Sequence, residues 1–456
     1  MHTLAQLRNG TLTGITRLKL ECGLTTFPDE IFNLAESLEI LDLSGNALSS
    51  LPDDLPRLHK LRILFCSDNQ FTVLPSMLGQ CPQLSMIGFK ANQIRAVPVS
   101  ALPPTLRWLV LTDNQITHLP AEIGYCTRLQ KLMLSGNQLD ELPAQLARCS
   151  HLELLRIAAN RFTHLPDWLL RLPSLSWLAY AGNPLGDVYE SAVLSSNSIP
   201  DMRWEDLQLN GQLGEGASGV IHHANYRLGD TTDPVALKLF KGALTSDGLP
   251  RSEMAACIAA GQHPNRISIL GKLTGHPEHA EGLIMPLIAP EFQNLAGPPS
   301  LVSCTRDVYD DDLSIGTTEL LALALGIVSA MNHLHQRGIL HGDLYGHNLL
   351  HTGDGRVLLG DFGAASLFAP DSFQAEALQR LEVRAYGVLL EELVARCPTP
   401  FPPLLTEIAS ACLSDDNQSR PLFHEIERAL SVLAARNTNT DDEAAFRLDE
   451  TMDAGF

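Results

Sequence analysis

Several residues in the second half of the chain are suited to binding and transferring a phosphate group. The stretch LGEGASGVI (213–221) places Gly214, Gly216 and Gly219 between two strand-like segments. Glycines let backbone N–H groups approach a phosphate closely. The spacing alone is a weak signal, because dinucleotide-binding folds share it. Here a strand-like run with Lys238, VALKLF, follows the glycines, where a dinucleotide-binding fold requires a helix.

Acidic and amide side chains follow in an order that suits the same chemistry. A predicted helix, SEMAACIAAGQHPN, carries Glu253 in its first turn, HGDLYGHN contains Asp343 and Asn348, and DFG begins at Asp361. Phosphoryl transfer needs a cation to neutralise the phosphates, carboxylates to hold a metal ion, and one carboxylate near the acceptor. Any one of these residues alone is more often a solvated surface residue. The whole set in this order is rarely a coincidence of surface residues.

As a set, these motifs resemble those of a protein kinase over about residues 205–435. The resemblance implies that Asp343 accepts the proton of the acceptor hydroxyl or orients it, that Lys238 pairs with the α- and β-phosphates of ATP, and that Glu253 holds Lys238 through an ion pair. The further residues that it implies for binding are Leu213, Gly214, Glu215, Gly216, Ala217, Ser218, Gly219, Ile221, Ala236, Met285, Leu287, Ile288 and Leu350 for ATP, and Asn348 and Asp361 for Mg²⁺.

The catalytic loop departs from the family pattern. Gly342 replaces the Arg that reads a phosphorylated activation segment, and Tyr345 replaces the Lys that contacts the γ-phosphate. His347 stands four residues after Asp343, where it offers partial positive charge or an ordinary hydrogen bond. Glu382 stands where the family has an Asp that supports this loop. Because H-G-D is also similar to the catalytic loop of small-molecule phosphotransferases, the acceptor is less firmly indicated than the fold.

The activation segment is also altered. After Gly363 the stretch AASLFAPDSFQ is much shorter than is usual in the family. Only Glu376 is left of the Ala-Pro-Glu motif, and we expect it to pair with Arg420. Ser366 and Ser372 are candidate phosphorylation sites, although both are more typical of ordinary loop residues. We therefore do not expect phosphorylation of this segment to switch the activity. We expect the first two hundred residues to have the regulatory or targeting role instead.

The first two hundred residues are built from a repeat. Phrases such as LEILDLSGNALSSLP (38–52) and LQKLMLSGNQLDELP (129–143) recur, and an earlier copy with Cys22 in the Asn position makes eight units. The asparagines of the other seven follow one another at intervals of 22 or 23 residues: Asn46, Asn69, Asn92, Asn114, Asn137, Asn160 and Asn183. This period with L-x-x-L-x-L-x-x-N/C-x-L is the leucine-rich-repeat signature. Each unit contributes a short strand, stacking buries the leucines, and the asparagines have a structural role.

Strand alternation predicts a concave face that is mostly apolar. The residues predicted to form it are Ile40, Phe65, Met86, Trp108, Met133, Leu154 and Trp177. An apolar surface of this extent is rarely bare in use. We predict a protein or peptide partner on this face; the alternative is that the following domain packs there in cis.

Charge and composition exclude other kinds of partner. The 456 residues contain 32 Lys+Arg against 52 Asp+Glu, a formal charge of -20, which repels nucleic acid and anionic lipid. The nine cysteines form no CxxC pair, which is typical of a reducing cytosol. We find no uninterrupted apolar run of roughly 18 residues, as a membrane span requires, and expect a cytoplasmic protein with neither a membrane nor a nucleic-acid partner.

The sequence therefore resembles a leucine-rich-repeat protein kinase. It predicts an α/β leucine-rich-repeat solenoid over residues 1–200, a two-lobed α+β protein-kinase-like domain over 201–436, and an acidic, disordered tail over 437–456. The expected function is ATP- and Mg²⁺-dependent phosphorylation of protein serine or threonine in signal transduction, with the repeats recruiting or regulating. Two alternatives stay open. One is a scaffold with a nucleotide-binding pseudokinase, and the other is a small-molecule kinase.

Overall fold

The computed structural model describes residues 2–196, 198–216, 218–242, 244–245 and 247–435. The predicted disordered tail at 437–456 lies outside the described residues. A short helix, α1 (Leu4–Arg8), precedes a parallel sheet of eight strands in sequential order, one for each predicted repeat. The strands are β1 (Arg17–Lys19), β2 (Ile40–Asp42), β3 (Ile63–Phe65), β4 (Met86–Gly88), β5 (Trp108–Val110), β6 (Lys131–Met133), β7 (Leu154–Arg156) and β8 (Trp177–Ala179).

The repeat asparagines join neighbouring units through the backbone. In the sixth unit Asn137 Nδ2 donates to the carbonyl oxygens of Leu111 and Leu134, each at 2.9 Å, and its Oδ1 accepts from the N–H of Ile116 at 3.0 Å. These bonds satisfy buried backbone groups that the short strands leave unpaired, so the structural role predicted for the asparagines is confirmed. Short 3₁₀ helices connect the strands: Asp29–Leu34, Leu55–Arg57, Ser76–Gln80, Val99–Ala101, Ala121–Tyr125, Ala144–Arg148 and Leu169–Arg171.

The chain leaves the repeats through α2 (Asp187–Leu194) and enters a second, mixed sheet at β9 (Asp201–Arg203). This sheet has the order β10-β11-β12-β14-β13-β9. Its other strands are β10 (Leu207–Glu215), β11 (Gly219–Leu228), β12 (Thr231–Phe240), β13 (Gly271–Thr274) and β14 (Gly282–Pro286), with a 3₁₀ turn at Trp204–Asp206 and α3 (Pro250–Ala260) between β12 and β13.

The rest of the second half is mainly helical. Its elements are β15 (Gln293–Asn294), α4 (Thr317–Gln336), β16 (Ile339–Leu340), a 3₁₀ turn at Gly346–Asn348, β17 (Leu349–His351), β18 (Val357–Leu359), β19 (Ser366–Leu367), α5 (Ala375–Val394), α6 (Pro403–Cys412), a 3₁₀ turn at Asn417–Ser419, and helical residues at 423–435. Among the described residues α4 alone is long and apolar enough, by length and composition, to cross a membrane; half of its 18-residue window is buried within the fold, as is common for core helices.

The two halves share hydrophobic cores. Leu154 and Trp177 of the repeats belong to the same buried cluster as α4 and α5. In turn Leu378 and Leu381 of α5 belong to the cluster that the repeat leucines form. Because apolar burial is the main favourable term in association, the repeats and the second half form one packed unit.

Candidate active site

A cavity of about 490 Å³ lies between the six-stranded sheet and the helical part. Most of the predicted nucleotide residues line it: Leu213, Gly216, Ser218, Gly219, Ile221, Ala236, Lys238, Glu253, Met285, Leu287, Ile288, Leu350 and Asp361. Gly214 and Glu215 belong to strand β10 and do not line the cavity, and Ala217 lies outside the described residues. Asp343 and Asn348 lie outside the lining as well.

Strand pairing explains why the apolar wall forms. Ala236 on β12 is the register partner of Met285 on β14, so both strands present small or flexible side chains at one level of the cavity. The lining is mostly apolar, as expected for a site that sandwiches a flat ring. Sequence analysis missed a further part of this lining, namely Thr245, Asp247, Cys257, Ile267, Ile269, Leu283 and Phe362.

Lys238 and Glu253 form the predicted ion pair inside the cavity. Glu253 is 3% exposed and Lys238 14% exposed in their side chains. Burial acts to lower the pKa of Lys238, but the carboxylate of Glu253 raises it overall, with a smaller contribution from Asp361. Lys238 therefore stays positively charged, as a group that neutralises phosphate must.

The glycine segment is joined to the end of β12 by a second ion pair. Glu215, at the end of β10, accepts a hydrogen bond from Lys241. The predicted contact of Glu215 with nucleotide is not seen in the lining. Its side chain instead connects the end of β10 to the residue that follows β12.

Asp361 and Asn348 are suited to holding a divalent cation. Asp361 is exposed, lines the cavity and has a φ of 45°, the left-handed conformation that few non-glycine residues adopt. Asn348 donates from Nδ2 to Asp343, so the side-chain oxygen Oδ1 of Asn348 is the polar atom of that side chain left for a cation. Mg²⁺ is usually held by one or two protein oxygens together with substrate phosphates. No cluster of three or more His, Cys, Asp or Glu side chains suited to a metal occurs in the described part of the chain, and such a site does not need one.

Asp343 is fixed within its own loop on one carboxylate oxygen. Asn348 Nδ2 donates to Oδ2 of Asp343 and to its carbonyl oxygen, each at 2.8 Å. Behind the loop, Glu382 accepts from the backbone N–H groups of His341 at 3.1 Å and Gly342 at 2.6 Å. Glu382 thus supports the loop as the family resemblance implied.

The last repeat packs directly on this loop. The Trp177 indole N–H donates to the carbonyl oxygen of Leu344 at 2.9 Å, and its ring stacks on Tyr345. Gly342 has a φ of 74°, and a Cβ built there would lie 2.8 Å from the carbonyl oxygen of Leu178. The carbonyl oxygen of Ala364 would be nearer still, at 2.5 Å, so the positive φ and contacts from both halves of the chain leave room for glycine at the position of the family's Arg.

A side chain of the seventh repeat reaches Asp343, and sequence analysis did not find it. Arg156 Nε donates to Asp247 Oδ1 at 2.7 Å, Nη1 donates to the carbonyl oxygen of Gly342 at 2.9 Å, and Nη2 donates to Oδ1 of Asp343. Burial acts to raise the pKa of Asp343, but the positive charge of Arg156, together with that of His347, holds it below its usual value. The carboxylate is therefore ionised at neutral pH.

His347 is paired with an acidic side chain, in agreement with the hydrogen bond and the positive charge that the sequence offered for it. Its Nδ1 lies 2.8 Å from Oδ1 of Asp307, whose Oδ2 accepts from the His347 backbone N–H at 3.1 Å. Its Nε2 lies 4.0 Å from Oδ2 of Asp343. Burial acts to lower the pKa of His347, but the hydrogen bond and charge of Asp307 raise it overall.

The segment between β14 and α4 fills much of the concave face of the repeats. Cys304 packs against Ile63 and Met86. Arg306 pairs with Glu153 at 2.9 Å. The sequence analysis assigned ATP binding to Leu287 and Ile288 at the start of this segment and no role to the part with Cys304 and Arg306.

The expectation of a free docking face is therefore not met by the structure. Met86, Leu154 and Trp177 are buried, and the second domain covers them in cis. The other four predicted members, Ile40, Phe65, Trp108 and Met133, are half-buried and pack against the same clusters. The second domain packs on this face in cis, which is the alternative that the sequence left open.

Two expectations for the activation segment are corrected. Ser366 is fully buried, and its Oγ accepts from the backbone N–H of Tyr180 at 2.9 Å, so it is not accessible for phosphorylation. Glu376 pairs with Arg380 at 2.8 Å rather than with Arg420. Arg420 instead donates to backbone carbonyl oxygens, including that of Pro173 in the repeats at 2.6 Å.

Comparison with known proteins agrees with both halves of this architecture. Residues 207–384 match the family described as protein tyrosine and serine/threonine kinase, and residues 37–58, 104–162 and 127–185 match leucine-rich-repeat families. Similar proteins include tyrosine-protein kinase Abl of Drosophila melanogaster, 26% identical over 53% of this chain and 17% of that protein. They also include probable serine/threonine-protein kinase drkC of Dictyostelium discoideum, 26% identical over 40% and 29%, and fibroblast growth factor receptor 1 of Xenopus laevis, 26% identical over 46% and 30%. The matched part of the chain thus spans less than a third of the length of each of these relatives.

Proposed function

Since the chain carries leucine-rich repeats followed by a protein kinase domain, we propose that it transfers the γ-phosphate of ATP to serine or threonine hydroxyls of a protein, with Mg²⁺ as the metal. The observation that carries the proposal is the buried Lys238–Glu253 ion pair on the wall of the same cavity as Asp361. These are the groups that phosphoryl transfer requires for phosphate and metal.

Each residue has a distinct part in the proposed reaction. Lys238 neutralises and orients the α- and β-phosphates, and Glu253 keeps Lys238 in place. Asp361 and Asn348 hold the divalent cation, which when bound offsets negative charge on the phosphates. The acceptor oxygen forms a bond to the γ-phosphorus, the bond from that phosphorus to the bridging oxygen breaks, ADP leaves, and Asp343 takes the hydroxyl proton.

The proposed experiment measures transfer of labelled phosphate from ATP in the presence of Mg²⁺, both to the chain itself and to a generic protein substrate. Wild type is compared with Asp343→Ala and Asp361→Ala. Loss of label in both variants supports the proposal, and hydrolysis of the labelled protein to single amino acids distinguishes serine and threonine from tyrosine. Labelled tyrosine would contradict the serine/threonine part alone.

A second candidate is a scaffold that binds nucleotide without transferring phosphate. The observation that favours it is the close cover over the catalytic loop. Tyr345 is buried beneath Trp177, and the short segment after Gly363 leads directly into α5, beside the repeats. Nucleotide binding with no transfer from wild type would favour this candidate. The same short segment offers a reduced platform for a peptide, so transfer to a metabolite with no labelled protein would favour a small-molecule kinase.

A further inference from the structure

The seventh repeat places a guanidinium against the carboxylate proposed to accept the proton. Arg156 is 1% exposed in its side chain and makes hydrogen bonds to Asp247, to the carbonyl oxygen of Gly342 and to Asp343. These three partners come from two segments of the kinase domain. Arg156 therefore lies at the junction between the repeats and the kinase domain and bonds to two segments of that domain.

We propose that Arg156 is a positioning residue of the kinase site, so that the repeats supply a guanidinium on Oδ1 of Asp343, while Asn348 and His347 of its own loop face Oδ2. This inference rests on the proposed kinase activity and deepens it. The site is then composite, because one of the groups that set the geometry of Asp343 belongs to the leucine-rich repeats.

The two oxygens of Asp343 are held from different domains. Within its own loop, Asn348 donates to Oδ2 at 2.8 Å, and His347 Nε2 lies 4.0 Å from the same oxygen. Oδ1 is held by Arg156. A carboxylate bonded on one oxygen can still rotate about its Cβ–Cγ bond, whereas bonds on both oxygens fix its plane. General-base catalysis depends on such fixed orientation.

Tyr345 is not suited to replace this cation. Its ring is stacked on Trp177 with the centroids 4.3 Å apart, and the side chain is 4% exposed. Its hydroxyl has no hydrogen-bond partner among the described residues. The side chain fills space between the loop and the repeats, and Arg156 supplies the positive charge on Oδ1 of Asp343.

The charged groups around Asp343 favour its ion pair with Arg156. Two basic residues of the repeats interact electrostatically with Asp343, namely Arg156 and Lys131, and two histidines of its own loop do so as well, namely His341 and His347. Two further carboxylates are close to these groups: Asp247, in the segment before α3, interacts with Asp343 and with Asp361, and Asp307 pairs with His347. Arg156 is buried between two carboxylates, and removing one partner of a buried ion pair leaves an uncompensated charge. Arg156 is therefore expected to stay in place during catalysis, and its charge keeps Asp343 ionised.

The test uses the full chain and compares wild type with Arg156→Gln, Arg156→Lys and the control Arg161→Gln. Arg161 is an exposed Arg on the same repeat, bonded only to Gln138 by its side chain among the described residues. Initial rates of phosphate transfer give kcat and KM for ATP, and circular dichroism checks that each variant is folded. We expect Arg156→Gln to lower kcat by about 100-fold, since small misplacement of a catalytic group has effects of that size, with KM for ATP unchanged.

The split between kcat and KM separates positioning from mere structural support. Loss of positioning lowers kcat while KM for ATP and the circular dichroism spectrum of Arg156→Gln stay those of wild type, whereas a structural defect changes all three. Arg156→Lys restores a positive charge and is expected to recover part of the lost kcat, which stays several-fold low because Lys lacks the planar fork. Arg161→Gln is expected to match wild type in both quantities.

Several outcomes would overturn the inference. Unchanged kcat in Arg156→Gln would make the contact purely structural, and raised kcat would make the repeats an inhibitory cap. If Arg156→Gln does not fold, Arg156→Lys carries the test, and kcat equal to or above that of wild type overturns the inference. Absence of transfer from wild type that still binds ATP would instead reject the proposed function itself.

Discussion

The ring of Trp177 in the last repeat lies parallel to that of Tyr345 in the catalytic loop, with 4.3 Å between centroids and 8° between planes. Both side chains are buried, and the indole N–H donates to the carbonyl oxygen of Leu344. The repeats thus form one wall of the catalytic loop, while Lys238, Glu253 and Asp361 line the neighbouring cavity.

Removing the stacked ring tests how strongly the two halves are coupled. We expect Trp177→Ala to lower the free energy of unfolding by about 3–5 kcal/mol, because it leaves a large cavity and an unsatisfied carbonyl at Leu344. Tyr125→Ala serves as control, since Tyr125 is 66% exposed and such surface changes are usually within about 0.5 kcal/mol. Urea denaturation followed by circular dichroism measures both. Equal, small losses would show that the stacking contributes little.

Gly342 is predicted to tolerate no side chain. Gly342→Ala places a Cβ against two backbone carbonyls at a positive φ, which costs about 1–2 kcal/mol for the backbone conformation alone and more for the overlap. Gly353→Ala is the matched control, because a Cβ there meets nothing within 4 Å. Thermal melting of the two variants checks this. A Gly342→Ala protein as stable as the control would contradict the observed packing of Leu178 on the loop.

Lys238→Met is expected to reduce phosphate transfer by about 10²–10³-fold, the usual effect of removing one preorganised group that stabilises charge. The control is Lys272→Met on β13, a half-buried Lys away from the cavity lining. Transfer rates at saturating ATP measure both variants. A Lys238→Met protein with nearly wild-type rates would mean that this Lys does not neutralise the phosphates.

The pairing of His347 with Asp307 predicts a dependence of stability on pH. Asp307 raises the pKa of His347 above the 6.5 of a free imidazole, so the folded state binds the proton more tightly than the unfolded chain. The stabilisation is fully present below pH 6.5 and is lost as the pH rises through the raised pKa of His347. His347→Gln should therefore be less stable than wild type at pH 5.5, and the difference should shrink at alkaline pH.

Denaturation midpoints of wild type and His347→Gln across this range measure the effect. Asp307→Asn, which keeps the size of the side chain but removes its charge, should lose the same pH dependence. A stability difference that grew with rising pH would show that His347 is neutral in the folded protein.

The sequence was sufficient for what depends on local pattern. The asparagine period predicted the eight strands of the repeat sheet, and the order of glycines, Lys238, Glu253 and Asp361 predicted the cavity that these residues share. Hydrophobic period and motif order are properties of short windows, so they can be found without knowing how distant segments meet.

Contacts between distant residues were not predictable in the same way. Arg156 and Asp343 are separated by 187 positions, and Tyr180 and Ser366 by 186. An Arg on a repeat strand or a serine in a loop is ordinarily a surface residue, and nothing local identifies its partner. The one available signal was that Arg156 is charged at a position where Val110 and Met133 stand in the two preceding repeats.

The same reasoning applies to the concave face. Its apolar character indicated correctly that something covers it, because exposed apolar area of that size is unfavourable. The identity of the cover depends on the segment with Cys304 and Arg306, which has no repeat, motif or strong helix pattern of its own. The sequence therefore did not show whether a separate partner protein or the second domain of the same chain covers the concave face.

We expect the repeats to stay docked on the second domain, including its segment before α3, while phosphate is transferred. A reversible cross-link tests it most directly. A Cβ built on Gly248 lies 3.3 Å from the Cβ of Ala158, close to the separation of a disulfide. All nine native cysteines are free and Cys22 is the one that is exposed, so Ala158→Cys with Gly248→Cys is made in a Cys22→Ser background.

The measurement is the rate of phosphate transfer from ATP by the oxidised and the reduced forms of this variant, with Cys22→Ser alone as control. We predict that the disulfide forms and that the oxidised protein transfers phosphate at a rate within about twofold of the reduced one. Loss of transfer on oxidation that is recovered on reduction would contradict the account, because it would show that the docked arrangement is inactive and that the repeats must move away.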